Sequence, residues 1–368
     1  MMHRKAGWML CVALLTGSLA VYAEEARTTL TIRSPVSRQV FQRNAQDQAD
    51  LTIRGTVNGR VDAVEAKADL VQGATRGKAS DWVVVAKQEE IAGGEFTGKL
   101  TLQAGGWYKI TVRGKRAGQV IAEAAVDKAG VGDVFITAGQ SNSANYGKPP
   151  QQAKDDRVVY FNGTAFVPAR DPIPGGCGKQ GSPWSLLGDR IVQSQGIPVC
   201  FRSASLTWTE VKNWMPPNTP LYKNLVQCVK PFGINGVRAV LWHQGESDTL
   251  VNTSASAYCE RLKTIIETLN RDCGYRIAWF VAQASFHPGS QEAQQKEVAK
   301  GQQMLWKEKI AFQGPNTDDL LGVKYRRDGV HFNQAGLDAH AERWFEALKK
   351  QYGWKSASPP NETQSQAK

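Results

Sequence analysis

The chain has 368 residues, of which 41% are hydrophobic and 21% are charged, and its formal net charge is +11 at pH 7. This composition is ordinary for a soluble globular protein, and the length allows two domains with a sizeable core. The basic residues are scattered and form no arm or aromatic-basic stripe, so the sequence lacks the usual pattern of a nucleic-acid-binding protein.

The first 23 residues are typical of a secretory signal peptide. They combine a basic start (residues 3–5), an apolar stretch (8–20) and a small-residue cleavage site (21–23). The apolar stretch is too short for a comfortable membrane span, and no later segment is apolar enough to cross a bilayer. We therefore expect residues 1–23 to be removed during export, and the mature chain to be periplasmic or secreted.

The cysteines after the signal segment are odd in number, which is unusual for an exported protein. They are Cys177, Cys200, Cys228, Cys259 and Cys273. At least one thiol must then be unpaired or paired between chains, and we expect one or two disulfides of undefined connectivity. None of these cysteines has the close spacing of a zinc site or lies in a motif with a base, so neither a metal site nor a catalytic cysteine is predicted.

Residues 24–130 are predicted to form a small, immunoglobulin-like β-sandwich. β-rich runs such as 51–57 and 107–112 are separated by turn signals such as 115–119. The role predicted for this part is structural, and carbohydrate binding is the alternative.

From residue 131 to 352 the pattern changes to alternating strands and helices, which predicts a parallel sheet with helices on both faces. We expect strands at 133–138, 197–202, 237–243, 276–283 and 309–312, and helices at 184–195, 221–230, 254–270, 290–307 and 334–350. The tail, 353–368, is rich in Ser, Pro and Gln and is predicted to be disordered. In such sheets, active sites lie beyond the carboxyl ends of the strands.

Two short motifs supply the parts of a serine hydrolase. Ser141 directly follows a predicted strand, and Asp328 precedes His331 by three residues. A serine hydroxyl becomes an effective nucleophile when a neighbouring base takes its proton, and imidazole suits that task near neutral pH. Of the histidines after the signal segment, only His331 has an acid in the preceding turn. His243 is predicted to shape the site, while His287 and His340 are assigned to a loop and to the last helix.

A third segment, residues 242–248 (Trp-His-Gln-Gly-Glu-Ser-Asp), also ends a predicted strand. With residues 139–142 (Gly-Gln-Ser-Asn) and 328–332 (Asp-Gly-Val-His-Phe), it forms an ordered set that resembles the SGNH (GDSL-like) hydrolases. The most similar branch is that of sialate O-acetylesterases and the sixth family of carbohydrate esterases, over about 131–350. The resemblance implies a flavodoxin-like, three-layer α/β/α fold and a carboxylic ester hydrolase that deacetylates carbohydrates without a metal or organic cofactor.

The resemblance also implies roles for individual residues. Ser141 is the nucleophile, His331 is the base, and Asp328 orients His331, with Glu246 as the alternative acid. The oxyanion is held by the side-chain amide of Gln244 and by the backbone N–H of Ser141.

One segment departs from the family pattern. Counting back from Trp214, Thr207 and Trp208 stand where this branch usually has two glycines, one of which donates its N–H to the oxyanion. Any residue except proline has such an N–H, so Trp208 is predicted to replace that glycine, while its bulk puts the substrate class in question. Gln140 and Asn142 flank the nucleophile and are predicted to contact substrate, with support of the loop as the alternative role for Asn142.

The sequence therefore predicts an exported carbohydrate O-acetylesterase that works through an acetyl-serine. The alternatives are an esterase for another acyl group or a non-sugar ester, a carbohydrate-binding protein with a degenerate site, and transfer of the acyl group to a second sugar. Acetylated sialic acid, xylan, pectin and peptidoglycan all remain open as substrates. At most one of the tryptophans near the motifs is expected to touch ligand; these are Trp184, Trp208, Trp214 and Trp242.

Overall fold

The computed structural model describes residues 28–354. The predicted signal peptide, residues 1–23, lies outside this range, as does most of the predicted tail, 353–368. No helix in the described part of the chain is both long enough and apolar enough to cross a membrane.

The amino-terminal part of the chain is built from two β-sheets. The strands are β1 (Thr29–Ser34), β2 (Gln39–Gln42), β3 (Gln48–Asn58), β4 (Ala63–Leu70), β5 (Val83–Lys87), β6 (Glu95–Gln103), β7 (Tyr108–Arg116) and β8 (Gln119–Gly139). Strands β1, β3 and β6 form one antiparallel sheet. In the other, β5, β4, β7 and β8 are antiparallel neighbours, and β2 runs parallel to β8.

The two sheets share one hydrophobic core. Strand β3 alternates buried and exposed residues because successive side chains of a strand point to opposite faces. Its buried Leu51 and Ile53 pack in the same cluster as Ala66 of β4 and as Ile110 and Val112 of β7. Burial of such a side chain is worth about 1.5–3 kcal/mol for the larger aliphatic residues.

Strand β8 continues from the amino-terminal sheets into the carboxyl-terminal one, where residues 133–139 pair with two further strands. The predicted boundary between domains, at residue 130, falls inside this strand. Beside it, the buried Arg43 guanidinium donates to both carboxylate oxygens of buried Asp133, at 2.9 and 2.8 Å. Removing either partner of such a pair destabilises the fold, because the other charge is then left buried and unpaired.

The carboxyl-terminal part is an α/β unit. Its strands are β9 (Val158–Phe161), β10 (Phe166–Pro168), β11 (Val199–Ser203), β12 (Ala239–His243), β13 (Ala278–Gln283) and β14 (Phe312–Asn316). The helices are α1 (Trp184–Gln195), α2 (Pro220–Val229), α3 (Glu246–Leu250), α4 (Ala255–Cys273), α5 (Glu292–Lys307), α6 (Gly322–Tyr325) and α7 (Gln334–Tyr352). The sheet order is β10-β9-β11-β8-β12-β13-β14, with all neighbours parallel except β10 and β9.

Helices cover both faces of this sheet. Leu225 of α2, Leu262 of α4 and Val298 of α5 lie in the core on one face. Leu187 of α1 and Trp344 of α7 lie in the core on the other face. The predicted parallel sheet with helices on both faces is therefore confirmed, and the long helices lie within a few residues of their predicted positions.

The expected disulfides are wrong for the cysteines that the structure describes, because all five are free thiols. Cys259 and Cys273 lie at opposite parts of helix α4. A helix rises 1.5 Å per residue, so their Cα atoms are roughly 20 Å apart, whereas a disulfide needs a separation below about 7 Å. Cys200 and Cys228 are buried, and burial raises the pKa of both thiols.

Candidate active site

Two adjacent central strands end at the same edge of the sheet and bring two of the motifs together. In the register of β8 and β12, Gly139 is opposite His243, and the Gln140 N–H donates to the His243 carbonyl at 3.1 Å. Gly139 has a φ of 138°, and a Cβ there would lie only 2.0 Å from that carbonyl oxygen. Glycine is therefore required for the close approach that places Ser141 beside the segment following β12.

Ser141 begins a short 3₁₀ turn, Ser141–Ser143, directly after β8. Its side chain is nearly enclosed, with 4% of the residue surface exposed. The first N–H groups of a helical turn have no partner inside the turn, and the Ser141 N–H makes no hydrogen bond within residues 28–354. The turn therefore presents a hydroxyl and a free backbone donor at the same point.

The third motif supplies a hydrogen-bonded acid and base. His331 Nδ1 lies 2.8 Å from Asp328 Oδ2, and Asp328 Oδ1 accepts from the N–H groups of His331 and Val330 at 2.7 and 3.0 Å. Partial burial acts to raise the pKa of Asp328, but these hydrogen bonds and the nearby imidazole outweigh it and hold that pKa at about 2. The carboxylate is thus ionised and accepts the proton on Nδ1, which leaves Nε2 of a neutral His331 free to act as a base.

The loop after Ser141 contacts the segment that carries His331. Asn142 Nδ2 donates to the Val330 carbonyl at 3.3 Å, and the Lys148 N–H donates to the Phe332 carbonyl at 3.0 Å. The Tyr146 ring stacks on the His331 ring, with 5.2 Å between centroids. Ser141 and His331 do not hydrogen-bond directly within the described chain, and such contacts commonly tighten only when substrate is bound.

Glu246, the alternative acid, lies elsewhere in the same cluster. It is 2% exposed, and Oε1 accepts from Asn142 Nδ2 at 3.1 Å and lies 3.9 Å from His243 Nδ1. Burial raises the pKa of Glu246 to about 7, while burial and the nearby Arg326 lower that of His243 to about 3. The geometry therefore pairs Asp328 with His331, and it places Glu246 under the loop that follows Ser141.

Glu246→Gln is expected to change how stability depends on pH. The pKa of Glu246 is about 7 in the folded protein against an ordinary 4.5. Below pH 4.5 the carboxyl is neutral in both the folded and the unfolded protein, and stability is at its full value. Between pH 4.5 and 7 the unfolded protein loses this proton while the folded protein keeps it, so the free energy of unfolding falls. The glutamine cannot ionise and can still accept from Asn142. The free energy of unfolding of the variant relative to wild type should therefore rise by on the order of 2 kcal/mol between about pH 5 and about pH 8.

Denaturant unfolding at a series of pH values measures this difference. The matched control is Glu260→Gln, which alters an exposed carboxylate on helix α4 and should stay parallel to wild type at every pH. A constant difference between Glu246→Gln and wild type across the series would show that Glu246 is ionised in the folded state.

The predicted oxyanion role of Gln244 is wrong in this geometry. Its side chain is completely buried, and Nε2 donates to the Thr209 carbonyl at 2.8 Å and to Asp248 Oδ2 at 2.6 Å. Oε1 accepts from the Tyr258 hydroxyl at 3.1 Å. Because both amide hydrogens are used inside the protein, Gln244 fixes the loop around Thr209 instead of facing a substrate.

Trp208 keeps the backbone shape that a glycine would give. Its φ is 55°, in the left-handed region where glycine is favoured, and its N–H makes no hydrogen bond within residues 28–354. The preceding N–H groups are engaged, that of Leu206 with the Gly139 carbonyl at 2.9 Å and that of Thr207 with Cys177 Sγ at 3.0 Å. The segment is therefore tied to β8 and leaves the Trp208 N–H available as an oxyanion donor.

The remaining predicted residues hold the loop. Gln140 Oε1 accepts from the Ser247 N–H at 3.1 Å and lies 3.3 Å from Gln244 Nε2, and Asn142 donates to Glu246 and Val330. Both side chains are nearly buried, which favours the loop-supporting role for Asn142. Among the tryptophans near the motifs, Trp208 alone is exposed; Trp184, Trp214 and Trp242 are completely buried.

Sequence reasoning missed His287, which lies near His331. Burial, and then the proximity of His331 and Arg326, lower the pKa of His287. It was assigned to a plain loop because it has no acid beside it in the sequence. Its position four residues after the end of β13, at the same edge of the sheet, was the available signal that it lies near the site.

Within residues 28–354, no group of three or more His, Cys, Asp or Glu side chains is placed to hold a metal ion.

Comparisons with known proteins agree with the motif pattern. The model of a family described as "Carbohydrate esterase, sialic acid-specific acetylesterase" matches residues 131–350, which confirms the resemblance predicted from the motifs. A carbohydrate acetylesterase from Xanthomonas citri is a similar solved structure, with 19% identity and a TM-score of 0.55 over 85% of this chain and 73% of that one. At that identity the likeness establishes a shared fold alone.

Two further solved structures are more distant. A protein from Arabidopsis thaliana has 17% identity and a TM-score of 0.47, over 60% of this chain and 97% of that one. A family two carbohydrate esterase from Cellvibrio japonicus has 10% identity and a TM-score of 0.39, over 89% of this chain and 98% of that one. No curated protein matched the chain.

Proposed function

Because the chain belongs to the carbohydrate esterase family of sialic acid-specific acetylesterases, and so is a carboxylic ester hydrolase, we propose that it removes O-acetyl groups from carbohydrates through an acetyl-serine. The observation that carries this mechanism is the Asp328–His331 pair, with 2.8 Å between Oδ2 and Nδ1, held against the loop that presents Ser141. An ionised acid, an oriented imidazole and a presented hydroxyl are the parts that acyl transfer to serine requires.

In the first step, Ser141 Oγ attacks the acetyl carbonyl carbon while His331 Nε2 accepts its proton. Asp328 stabilises the imidazolium that forms. The tetrahedral intermediate then collapses, the bond to the sugar oxygen breaks, and His331 returns the proton to that oxygen. The products of this step are the free sugar alcohol and the acetyl ester of Ser141.

In the second step, water attacks the acetyl-serine with His331 again as base, and acetate leaves as Ser141 regains its proton. The negative charge of both tetrahedral intermediates is held by the N–H groups of Ser141 and Trp208, neither of which has another partner in the described chain. Loss of one such donor typically lowers the rate by about 100- to 1000-fold.

Export and domain organisation complete the proposal. Residues 1–23 act as the signal peptide, 24–130 form an immunoglobulin-like β-sandwich and 131–352 form the SGNH hydrolase. The first domain has a structural role, as its own hydrophobic core and the buried Arg43–Asp133 pair suggest.

The mass of the protein recovered from the periplasm or medium tests export, since processing would leave Glu24 at the amino terminus.

Release of acetate from a substrate panel tests the activity. The panel contains O-acetylated sialic acid, acetylated xylan, 4-nitrophenyl acetate and the longer 4-nitrophenyl butyrate and octanoate. We expect acetate release from at least one acetylated sugar, and a kcat/KM for the acetate ester at least about tenfold above that for the octanoate. Preference for the longer esters would favour the alternative of another acyl group, and binding of sugar without any release would favour the carbohydrate-binding alternative.

A further inference from the structure

Trp208 is an exposed aromatic residue in a backbone conformation that does not suit it. The residue is 69% exposed, although its φ of 55° lies in the region that favours glycine. Non-glycine residues in this region carry strain and are concentrated at functional sites. Since the indole is not part of the hydrophobic core, packing of the fold does not explain why a tryptophan stands there.

The Trp208 ring lies beside the ring of His287, with 6.1 Å between ring centroids and 59° between planes. The loop of His287 lies against the turn that carries His331, since a Cβ at Gly329 would be 3.9 Å from Pro288 Cγ, and the nearby His331 helps to lower the pKa of His287. Trp208, His287 and His331 therefore follow one another along one wall of the site.

His287 is fixed in one orientation. Its Nδ1 accepts from the Gly289 N–H at 3.0 Å, and its carbonyl accepts from the Ser290 N–H at 3.0 Å and from Gln295 Nε2 at 3.1 Å. The loop before it is tied down by Asp318, which accepts from the Phe286 N–H at 2.8 Å. Because Nδ1 is an acceptor, the proton of the neutral ring is on Nε2, which makes no hydrogen bond within the described residues.

The chemistry of the reaction says which part of a substrate this wall faces. His331 returns its proton to the oxygen of the departing alcohol, so that alcohol must lie next to His331. Groups beside His331 therefore face the leaving sugar, whereas the carbonyl oxygen of the ester lies towards the N–H donors of Ser141 and Trp208. His287 and the Trp208 ring are on the leaving-group side.

We propose that Trp208 and His287 form the binding surface for the leaving sugar, and so select a pyranose ring as the alcohol part of the ester. The indole face covers the apolar C–H face of the ring, and His287 Nε2–H donates to a sugar oxygen. A flat apolar surface with one fixed donor is the combination that binding sites use to orient a polar ligand. This inference rests on the proposed esterase function, since the leaving-group side is defined by the reaction.

Two variants separate the surface from the reaction centre. Trp208→Gly removes the indole, retains the backbone N–H and suits the left-handed backbone. His287→Phe keeps an aromatic ring and removes the Nε2–H donor. The matched control is Ile234→Ala, which shortens another strongly exposed apolar residue in the loop before β12, at the opposite edge of the sheet. Thermal unfolding of each variant shows that the fold is retained.

The kinetic readout is a ratio. We expect kcat/KM for an acetylated xylo-oligosaccharide or O-acetylated sialic acid, divided by kcat/KM for ethyl acetate, to fall at least about tenfold in both variants, because the leaving ethanol has no ring to cover the indole. A change at the Trp208 N–H donor would lower the rates on both esters alike and so cancels in this ratio. The ratio should stay at the wild-type value in Ile234→Ala. Equal losses on sugar and ethyl esters in both variants would overturn the proposal, because the residues would then act on the reaction centre.

A binding readout keeps this test separate from the test of the esterase itself. In a Ser141→Ala background, calorimetric titration with the same acetylated sugars should give a dissociation constant at least about tenfold higher when Trp208→Gly or His287→Phe is added. Unchanged binding would overturn the sugar surface even if the enzyme releases acetate. If the wild-type protein releases no acetate, but sugar binding is lost in both variants, the esterase mechanism is overturned and the sugar-binding surface is retained.

Discussion

Ser141→Ala is expected to lower kcat for acetyl esters by at least about 10⁴-fold. The hydroxyl of Ser141 forms the covalent bond to the acetyl group, and alanine has no atom that can replace it. The residual rate comes from substrate binding and the N–H donors alone. Acetate release under saturating 4-nitrophenyl acetate and acetylated sugar measures the loss.

Ser247→Ala is the matched control for this substitution. Ser247 lies in the second motif, and its buried hydroxyl has no hydrogen-bond partner in the described chain, so its removal breaks no contact there. We expect its kcat to stay within about threefold of wild type. A Ser141→Ala protein with more than a tenth of wild-type activity would mean that another group is the nucleophile.

Asp328→Asn should also give a large loss, about 10²- to 10⁴-fold in kcat. The asparagine amide can donate to His331 Nδ1, which favours the tautomer with the proton on Nε2 and so removes the base. It also cannot stabilise the imidazolium that forms as Ser141 attacks. The change is nearly isosteric, so the turn that carries His331 is retained.

Glu246→Gln is the decisive comparison for the identity of the acid. Glu246 contacts Asn142 and not His331, and glutamine can still accept from Asn142, so we expect less than about a tenfold loss in kcat. If Glu246→Gln lost more activity than Asp328→Asn, Glu246 would be the acid that acts with His331, and the 2.8 Å contact between Asp328 and His331 would be structural.

Local patterns predicted much of this molecule. The helices Trp184–Gln195 and Glu292–Lys307 begin and end near their predicted positions because the apolar periodicity and the turn residues that define them are local in sequence. The sequence also indicated the position of Ser141, because this residue comes just after a predicted strand. It indicated the contact between Asp328 and His331, because a single turn joins these two residues.

The parts that failed depend on contacts between distant segments. Gln244 was predicted to face the substrate, but Thr209 and Asp248 take both of its amide hydrogens, and Thr209 reaches it only through the fold. His287 was overlooked because no acid lies beside it in the sequence, and the loop before it is held by Asp318, about thirty residues later, which accepts from the Phe286 N–H. Spacing of cysteines likewise carries no information on distances in space, and the expected disulfides did not form.

Covalent labelling of the nucleophile tests the central claim most directly. The protein is incubated with diethyl 4-nitrophenyl phosphate, which phosphorylates activated serines, and acetate release and peptide masses are followed together. We predict one diethylphosphoryl group on the peptide that contains Ser141, appearing in proportion to the loss of activity and absent in Ser141→Ala. Complete inactivation with the label on a different residue, or full activity with Ser141 labelled, would contradict a mechanism through acetyl-Ser141.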